Sequence, residues 1–409
     1  MNGLRAILRL PLRSAGRNCQ TAASEPTLVY TKELRFANDA FPRTIPTYRV
    51  LDDSNTEAQD CRIGDEQLVK MYESMVKLNV MDAVLYESQR QGRISFYMTN
   101  YGEEACQIGS AAALADEDPV YAQYRESGVL MWRGYDYQDF VDQCYGNAAD
   151  PNKGRQMPVH YGSRRLNFLT ISSPLGTQLP QAAGAAYALR LRGERRRLVA
   201  CYFGEGAASE GDAHAALSFA ATLRCPVLFF CRNNGYAIST PSGQQYAGDG
   251  VAAKGPAYGI PTLRVDGNDL LAVYNATGFA REFALSSQRP VLLEAMTYRL
   301  GHHSTSDDSS AYRPEREVQR RRELAPIARL SAYLAGRGLW DEQRQRRLAE
   351  ASKRAVVAAV AEAERREKPH WRELFADVYA RMPAHLASQM AKLDRHLREH
   401  ADKYPTVGG

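Results

Sequence analysis

Two short polar breaks end two apolar runs, and their side chains are of the kind that hold a metal-bound anion. Leu198 to Phe203 runs into Gly204-Glu205-Gly206, and Cys225 to Cys231 runs into Arg232-Asn233-Asn234-Gly235. A carboxylate and an amide oxygen are hard ligands. With a backbone carbonyl and phosphate oxygens they complete an octahedron suited to Mg²⁺. Gly204 and Gly206 have no Cβ to obstruct a diphosphate approaching the backbone, and Arg232 could add a cationic contact. Taken singly, Glu205 reads as a strand-end carboxylate and Asn233-Asn234-Gly235 as a turn. Their joint meaning depends on whether the fold brings them together.

The flanking pattern says that it does. Neither apolar run alternates, as expected of strands buried on both faces. Ser209 and Asp212 between them have capping-box spacing, which predicts a helix over about 210–223. Strand, helix and strand at this distance form a βαβ unit with parallel strands. Leu263 to Val265 and Val291 to Met296 read as further strands, with a helix from Asp269 to about Ser286. The fold class expected is α/β, a doubly wound, mostly parallel sheet with helices on both faces. Ligands of such sheets bind beyond the carboxyl ends of the strands, so Glu205 and Asn234 should share one crevice.

Upstream, Asp65 can start a helix that carries Leu68, Met71, Tyr72, Met75 and Leu78 on one face and ends near Gly92. Helices are also predicted over 103–114, 136–145 and 179–191, the last rich in small residues, with a loop at Gln123 to Gly128. Beyond Glu315 the chain becomes helical and charged, with a helix over 351–368 and an irregular tail.

The 409 residues carry 52 Lys and Arg against 47 Asp and Glu. Arg5, Arg9, Arg13 and Arg17 fall in the first 24 residues, which hold no acid, and Leu4, Ile7, Leu8 and Leu12 lie among them. This is the composition of a mitochondrial transit peptide. Without those arginines the charge nearly balances, so no nucleic-acid partner is expected. No stretch approaches the roughly 18 apolar residues of a membrane span. The seven cysteines include no CxxC pair and read as reduced thiols. Gly248-Asp249-Gly250 reads as a loop, and the adjacent His302 and His303 should point apart rather than share a metal. The expected organisation is transit peptide 1–24, extended arm 25–63, α/β domain 64–314 and helical carboxyl-terminal region 315–409.

GEG closing on NN resembles the thiamine-diphosphate motif, with Glu205 where many members have Asp. Longer blocks widen the likeness, among them GEGAASEGDAHAALSFAATLRCPVLFFCRNNGYAIST, VDGNDLLAVYNAT, LLEAMTYRLGHHSTSDDSSAYR and VYAQYRESGVLMWRGY. From about residue 28 onward the sequence resembles the alpha subunits of thiamine-diphosphate-dependent 2-oxoacid dehydrogenases, the branched-chain type above all. The resemblance implies Mg²⁺ ligation by Glu205, Asn234 and the main-chain oxygen of Tyr236. It implies coenzyme contacts from Tyr124, Arg125, Ser173, Leu175, Gly204, Glu205, Gly206, Ala207, Arg232, Asn234, Ile238 and His303. Arg299 and His303 would sit at the reacting end, with His303 as acid/base or oxyanion partner. Gln123, Tyr124 and Leu175 would line the acyl pocket, and Ser172, Pro174, Thr177 and Gln178 would hold K⁺. Ser304 matches a regulatory phosphorylation site, while a second such serine would fall at Pro314.

The resemblance also implies partners. A beta subunit would supply the glutamate that activates the coenzyme, in an α₂β₂ assembly in the mitochondrial matrix. A lipoyl-bearing acyltransferase core would receive the acyl group, and a kinase and a phosphatase would act on Ser304. The implied reaction is oxidative decarboxylation of branched-chain 2-oxoacids with acyl transfer to lipoamide. Two rivals are a pyruvate dehydrogenase alpha subunit and a non-catalytic assembly subunit of the same fold. The doubled histidine, the GEGAASEGD run and Leu175 favour the branched-chain type.

Overall fold

The two apolar runs become adjacent strands at the middle of a six-stranded sheet. The computed structural model describes residues 44–52, 54–55 and 63–404. The expected transit peptide and most of the expected arm therefore lie outside the described residues. The strands are β1 (Thr47–Tyr48), β2 (Val120–Tyr121), β3 (Val199–Gly204), β4 (Val227–Asn233), β7 (Thr262–Asp266) and β8 (Val291–Met296), with β5 (Tyr236–Ala237) and β6 (Thr240–Pro241) forming a separate small hairpin. The large sheet has the order β1-β7-β8-β4-β3-β2, and every neighbouring pair is parallel. Gly204 pairs with Arg232, and Arg232 with Ala295, so the ends of β3, β4 and β8 lie level.

The absence of alternation in β3 and β4 has a direct cause. Ala200, Tyr202, Leu228 and Phe230 face one apolar layer, and Val199, Cys201, Phe203, Val227, Phe229 and Cys231 face the other. The first layer is closed by α1 (Asp65–Arg90), α2 (Glu104–Ala113) and the helix Leu270–Ser287. The second is closed by α5 (Gln178–Leu191) and α6 (Gly211–Thr222). Helices thus cover both faces, as expected. The five cysteines at 106, 144, 201, 225 and 231 are free and buried.

Several local expectations change. Ser209 does not cap α6, because it closes a tight turn over Ala207–Ser209 and the cap position falls to Glu210, whose side chain makes no capping bond. The Ser209 hydroxyl turns instead toward Tyr246, 3.4 Å away. The predicted loop at Gln123 to Gly128 is cut short by α3 (Ser127–Trp132), and the helix expected over 136–145 forms as α4 (Tyr137–Tyr145). The helix expected over 351–368 begins earlier and spans Glu342–Arg365, and the tail expected to be irregular contains the helix Ala384–Glu399. Thr47 and Tyr48, in the expected arm, form the edge strand β1. The next residues, Val50 and Leu51, donate their N–H groups to Asp269 at 2.7 and 2.6 Å. Asp269 also caps the helix that follows it, through the N–H of Ala272.

Candidate active site

A cavity of about 420 Å³ opens beyond the carboxyl ends of β3 and β4. Gln123 and Tyr124 reach it from the end of β2, Glu205 from β3, Asn234 from β4, and Arg299 and His303 from the segment after β8. Ser173, Leu175, Gly204, Gly206, Ala207, Arg232, Tyr236 and Ile238 also line it. The structure therefore gathers residues that lie far apart in the sequence, at the place an open parallel sheet offers.

Glu205 is 2% exposed, and one of its oxygens, Oε1, has no hydrogen-bond partner. The other accepts the Asn234 N–H at 3.4 Å. Burial pushes its carboxyl above the ordinary carboxylate range. Buried polar atoms are rarely left unpaired, so an orphan carboxylate oxygen here fits a cation ligand. Asn234 donates Nδ2 to Glu103 at 3.0 Å, while its Oδ1 accepts the N–H of Tyr236 at 3.2 Å. Among the described residues no group of three or more His, Cys, Asp or Glu side chains forms a metal site. A cation here would rest on the mixed set of carboxylate, amide and carbonyl oxygens.

The two glycines of GEG differ. A Cβ on Gly204 would meet only Gln123 Oε1, at 4.0 Å, whereas one on Gly206 would lie 2.8 Å from the Ala237 Cβ. Gly204 leaves room toward the cavity; Gly206 is required by the close approach of the β5–β6 hairpin. Tyr246 donates its hydroxyl to the Glu205 carbonyl, and Lys254 donates to the Ala208 carbonyl at 2.7 Å, which pins this turn from behind.

Arg232 is enclosed. Its Nε donates to Glu126 at 2.8 Å and its Nη1 to Glu103, and all three side chains are at most 3% exposed. Burial alone would weaken its hold on a proton, but Glu126 and Glu103 outweigh that and keep it charged. Arg125 donates to the carbonyls of Thr99 and His303, the latter at 3.0 Å, while its Nε lies 3.5 Å from Glu103 without a hydrogen bond. Arg299 donates to the Ile238 carbonyl at 2.7 Å and to the Tyr312 hydroxyl at 2.8 Å, and its Nε has no partner.

His303 is neutral in this setting. Burial first, then the positive charges of Arg125 and Arg299, lower its pKa to about 3. Its Nδ1 lies 3.3 Å from Arg299 Nη1. A guanidinium only donates, so Nδ1 accepts and Nε2 carries the ring proton. An imidazole titrating near neutral pH, the basis of the sequence reading, is not what this environment gives. His302 accepts the N–H of Ser309 at 3.0 Å, so the paired histidines serve different partners, as expected.

The residues expected to hold K⁺ lie beside the cavity. Thr177 donates its hydroxyl to the Pro174 carbonyl at 3.2 Å, Ser172 is exposed, and Gln178 donates to the Tyr202 carbonyl at 3.0 Å. Ser304 is 9% exposed, and its Oγ accepts the Ser306 N–H at 3.2 Å. Asp249, from the literal GDG, pairs with Arg264, which also pairs with buried Glu294; both contacts serve the fold.

Sequence reading missed Glu103, Glu126 and His160. The two glutamates were invisible because nothing local marks an acid that long-range packing will bury. The Arg125-Glu126 pair was the one available hint. His160 is buried, lines the cavity and contacts Ser173.

The dehydrogenase E1 component family matches residues 72–372. The 2-oxoisovalerate dehydrogenase subunit alpha, mitochondrial, of Caenorhabditis elegans is 55% identical over 382 residues, 92% of this chain and 88% of that protein. The human protein of the same name is 56% identical over 380 residues, covering 92% and 85%. The Dictyostelium discoideum protein is 50% identical over 392 residues, covering 95% and 88%. A family match across most of the sequence, together with relatives this similar over nearly its whole length, establishes that the chain belongs to the dehydrogenase E1 component family.

Proposed function

We propose that this chain is the alpha subunit of a mitochondrial branched-chain 2-oxoacid dehydrogenase. It acts with a beta subunit in thiamine-diphosphate-dependent decarboxylation of substrates such as 3-methyl-2-oxobutanoate, with transfer of the acyl group to lipoamide. The observation that carries this reading is the unpartnered Glu205 Oε1 beside Asn234, at the ends of two adjacent strands. The relatives' names supply the substrate class and the mitochondrial location.

The residues present fit a diphosphate and its cation. Glu205, Asn234 and the Tyr236 carbonyl would hold Mg²⁺, Arg125 would contact the diphosphate, and the Nε of Arg299, which has no hydrogen-bond partner, is a donor that suits an anion. When bound, thiamine diphosphate supplies the electron sink for loss of CO₂. This chain's own groups do the rest. Arg299 attracts the substrate carboxylate, and neutral His303 offers an Nε2–H to oxygen that gains negative charge. Leu175, Phe96, Met98 and Met157 give the acyl side of the cavity an apolar lining. Ser172, Pro174, Thr177 and Gln178 supply oxygens for K⁺.

Further partners in this reading are a lipoyl-bearing acyltransferase core and a kinase and phosphatase acting on Ser304. Because Ser304 is buried, its loop must open before a kinase can reach it. Mass spectrometry of the native protein showing Ser304 always unmodified would remove that element. The main test is co-expression with a beta chain, followed by coenzyme-dependent decarboxylation of 3-methyl-2-oxobutanoate against pyruvate. Preference for pyruvate would shift the assignment to the pyruvate type, and no coenzyme binding would leave an assembly subunit.

A further inference from the structure

His160 and His303 stand at the same cavity with opposite ring protonation. His160 Nδ1 lies 3.0 Å from the Pro158 carbonyl and Nε2 lies 2.8 Å from Ser173 Oγ. A carbonyl only accepts, so in the neutral ring Nδ1 carries the proton and Nε2 accepts the Ser173 hydroxyl hydrogen. The ring is 4% exposed. Val159, immediately before it, is fully buried with φ at +66°, a conformation that β-branched residues rarely adopt. The surrounding fold has to impose this, and strain of the kind clusters where a side chain must be aimed.

We propose that His160 is a positioning residue for Ser173. By taking the hydroxyl hydrogen, it leaves Ser173 Oγ facing the cavity as an acceptor only. This rests on the proposed function for the identity of the ligand. A branched 2-oxoacid anion brings only acceptor oxygens, whereas thiamine diphosphate carries an amino group on its pyrimidine ring. Lipoamide also carries donors, but it is the coenzyme that stays bound, so the donor assigned to Ser173 is the coenzyme amino N–H, and His160 sharpens the preference for it.

The test is calorimetric titration of the α/β complex with thiamine diphosphate and Mg²⁺, using His160→Asn, His160→Gln, Ser173→Ala and the double variant His160→Asn/Ser173→Ala. An Asn amide can keep the Pro158 anchor and loses the Ser173 acceptor, while a Gln amide oxygen can replace Nε2. Losing one neutral hydrogen bond predicts coenzyme affinity roughly five- to tenfold weaker in His160→Asn and in Ser173→Ala. The double variant should be no weaker than Ser173→Ala, and His160→Gln should stay near wild type. Additive losses, or His160→Asn binding like wild type, would overturn the proposal. If His160→Asn fails to assemble, His160→Gln with and without Ser173→Ala makes the same comparison: in that pair the Gln change must matter neither with Ser173 nor without it. Wild-type complex that does not bind the coenzyme would overturn the proposed function and this inference with it. Wild-type binding with indifferent variants overturns the inference alone.

Discussion

Glu103 accepts the side-chain amide of Asn234 at 3.0 Å, and that bond decides which end of the amide faces the proposed cation site. A carboxylate cannot donate, so Nδ2 must point at Glu103 and Oδ1 must point away. The same Glu103 accepts from Arg232. One buried acid thus orients the proposed ligand and neutralises Arg232, and groups of this sort govern metal sites from outside the ligand set.

Glu103→Gln should therefore weaken Mg²⁺ binding about 10- to 100-fold, through an amide free to turn. It should also destabilise the complex by on the order of 3 kcal/mol, since Arg232 loses a buried counter-charge. Mn²⁺ titration followed by electron paramagnetic resonance, beside thermal unfolding, reads both effects. Unchanged affinity would show that Asn234 is oriented by other means.

Glu205→Gln should separate stability from function. The carboxyl is buried with an unpartnered oxygen, and burial raises its pKa, so the coenzyme-free complex carries a cost that a neutral amide reduces. The variant should be more stable by about 1 kcal/mol without coenzyme, seen as a higher melting temperature, and show no decarboxylation. Wild type should gain about 2.7 kcal/mol from coenzyme and Mg²⁺ at a hundredfold excess over Kd, and the variant should gain little. Wild-type turnover in Glu205→Gln would remove Glu205 from the cation site.

The pH dependence of stability has a definite sign. Burial raises the Asp82 carboxyl to about 7 and that of Glu104 to about 8. Between the unfolded range near 4 and these values the folded state holds protons that the unfolded chain releases, so the contribution of these two groups to stability falls as pH rises and levels off above about 8. Glu104→Gln removes one of these groups. Calorimetric melting from pH 4.5 to 9 should show a shallower decline in the variant than in wild type, and parallel curves would refute this.

His303 should not titrate between pH 5 and 8 in the coenzyme-free complex, because burial, Arg125 and Arg299 hold its pKa near 3. A bound diphosphate opposes those two positive charges and should raise it. Carbon-13 labelling of the eight histidines, with His303→Asn to assign the signal, follows both states by NMR. A normal midpoint without coenzyme would contradict the structure.

Glu205 and Asn234 were legible in the sequence because each sits where an apolar run stops, and the rule for parallel sheets does the rest. Strands β3, β4 and β8 were legible for the same reason, as apolar runs with no alternation. The two-residue strands β1 and β2 were not, since pairing with β7 and β3 defines them and no local pattern can. Ser209 misled because its spacing to Asp212 suits a cap, yet the tight turn before α6 turns its hydroxyl elsewhere. The tautomers of His160 and His303 follow from carbonyl and guanidinium neighbours that only tertiary structure brings near.

Asp269 has a consequence for processing. Its carboxylate gathers the N–H groups of Val50, Leu51 and Ala272, and a few residues earlier Ile45 donates its N–H to Asp249. A cut past Leu51 would strip a buried carboxylate of two of those three donors and loosen the start of the helix behind the sheet, so a mature form must begin upstream of that clasp.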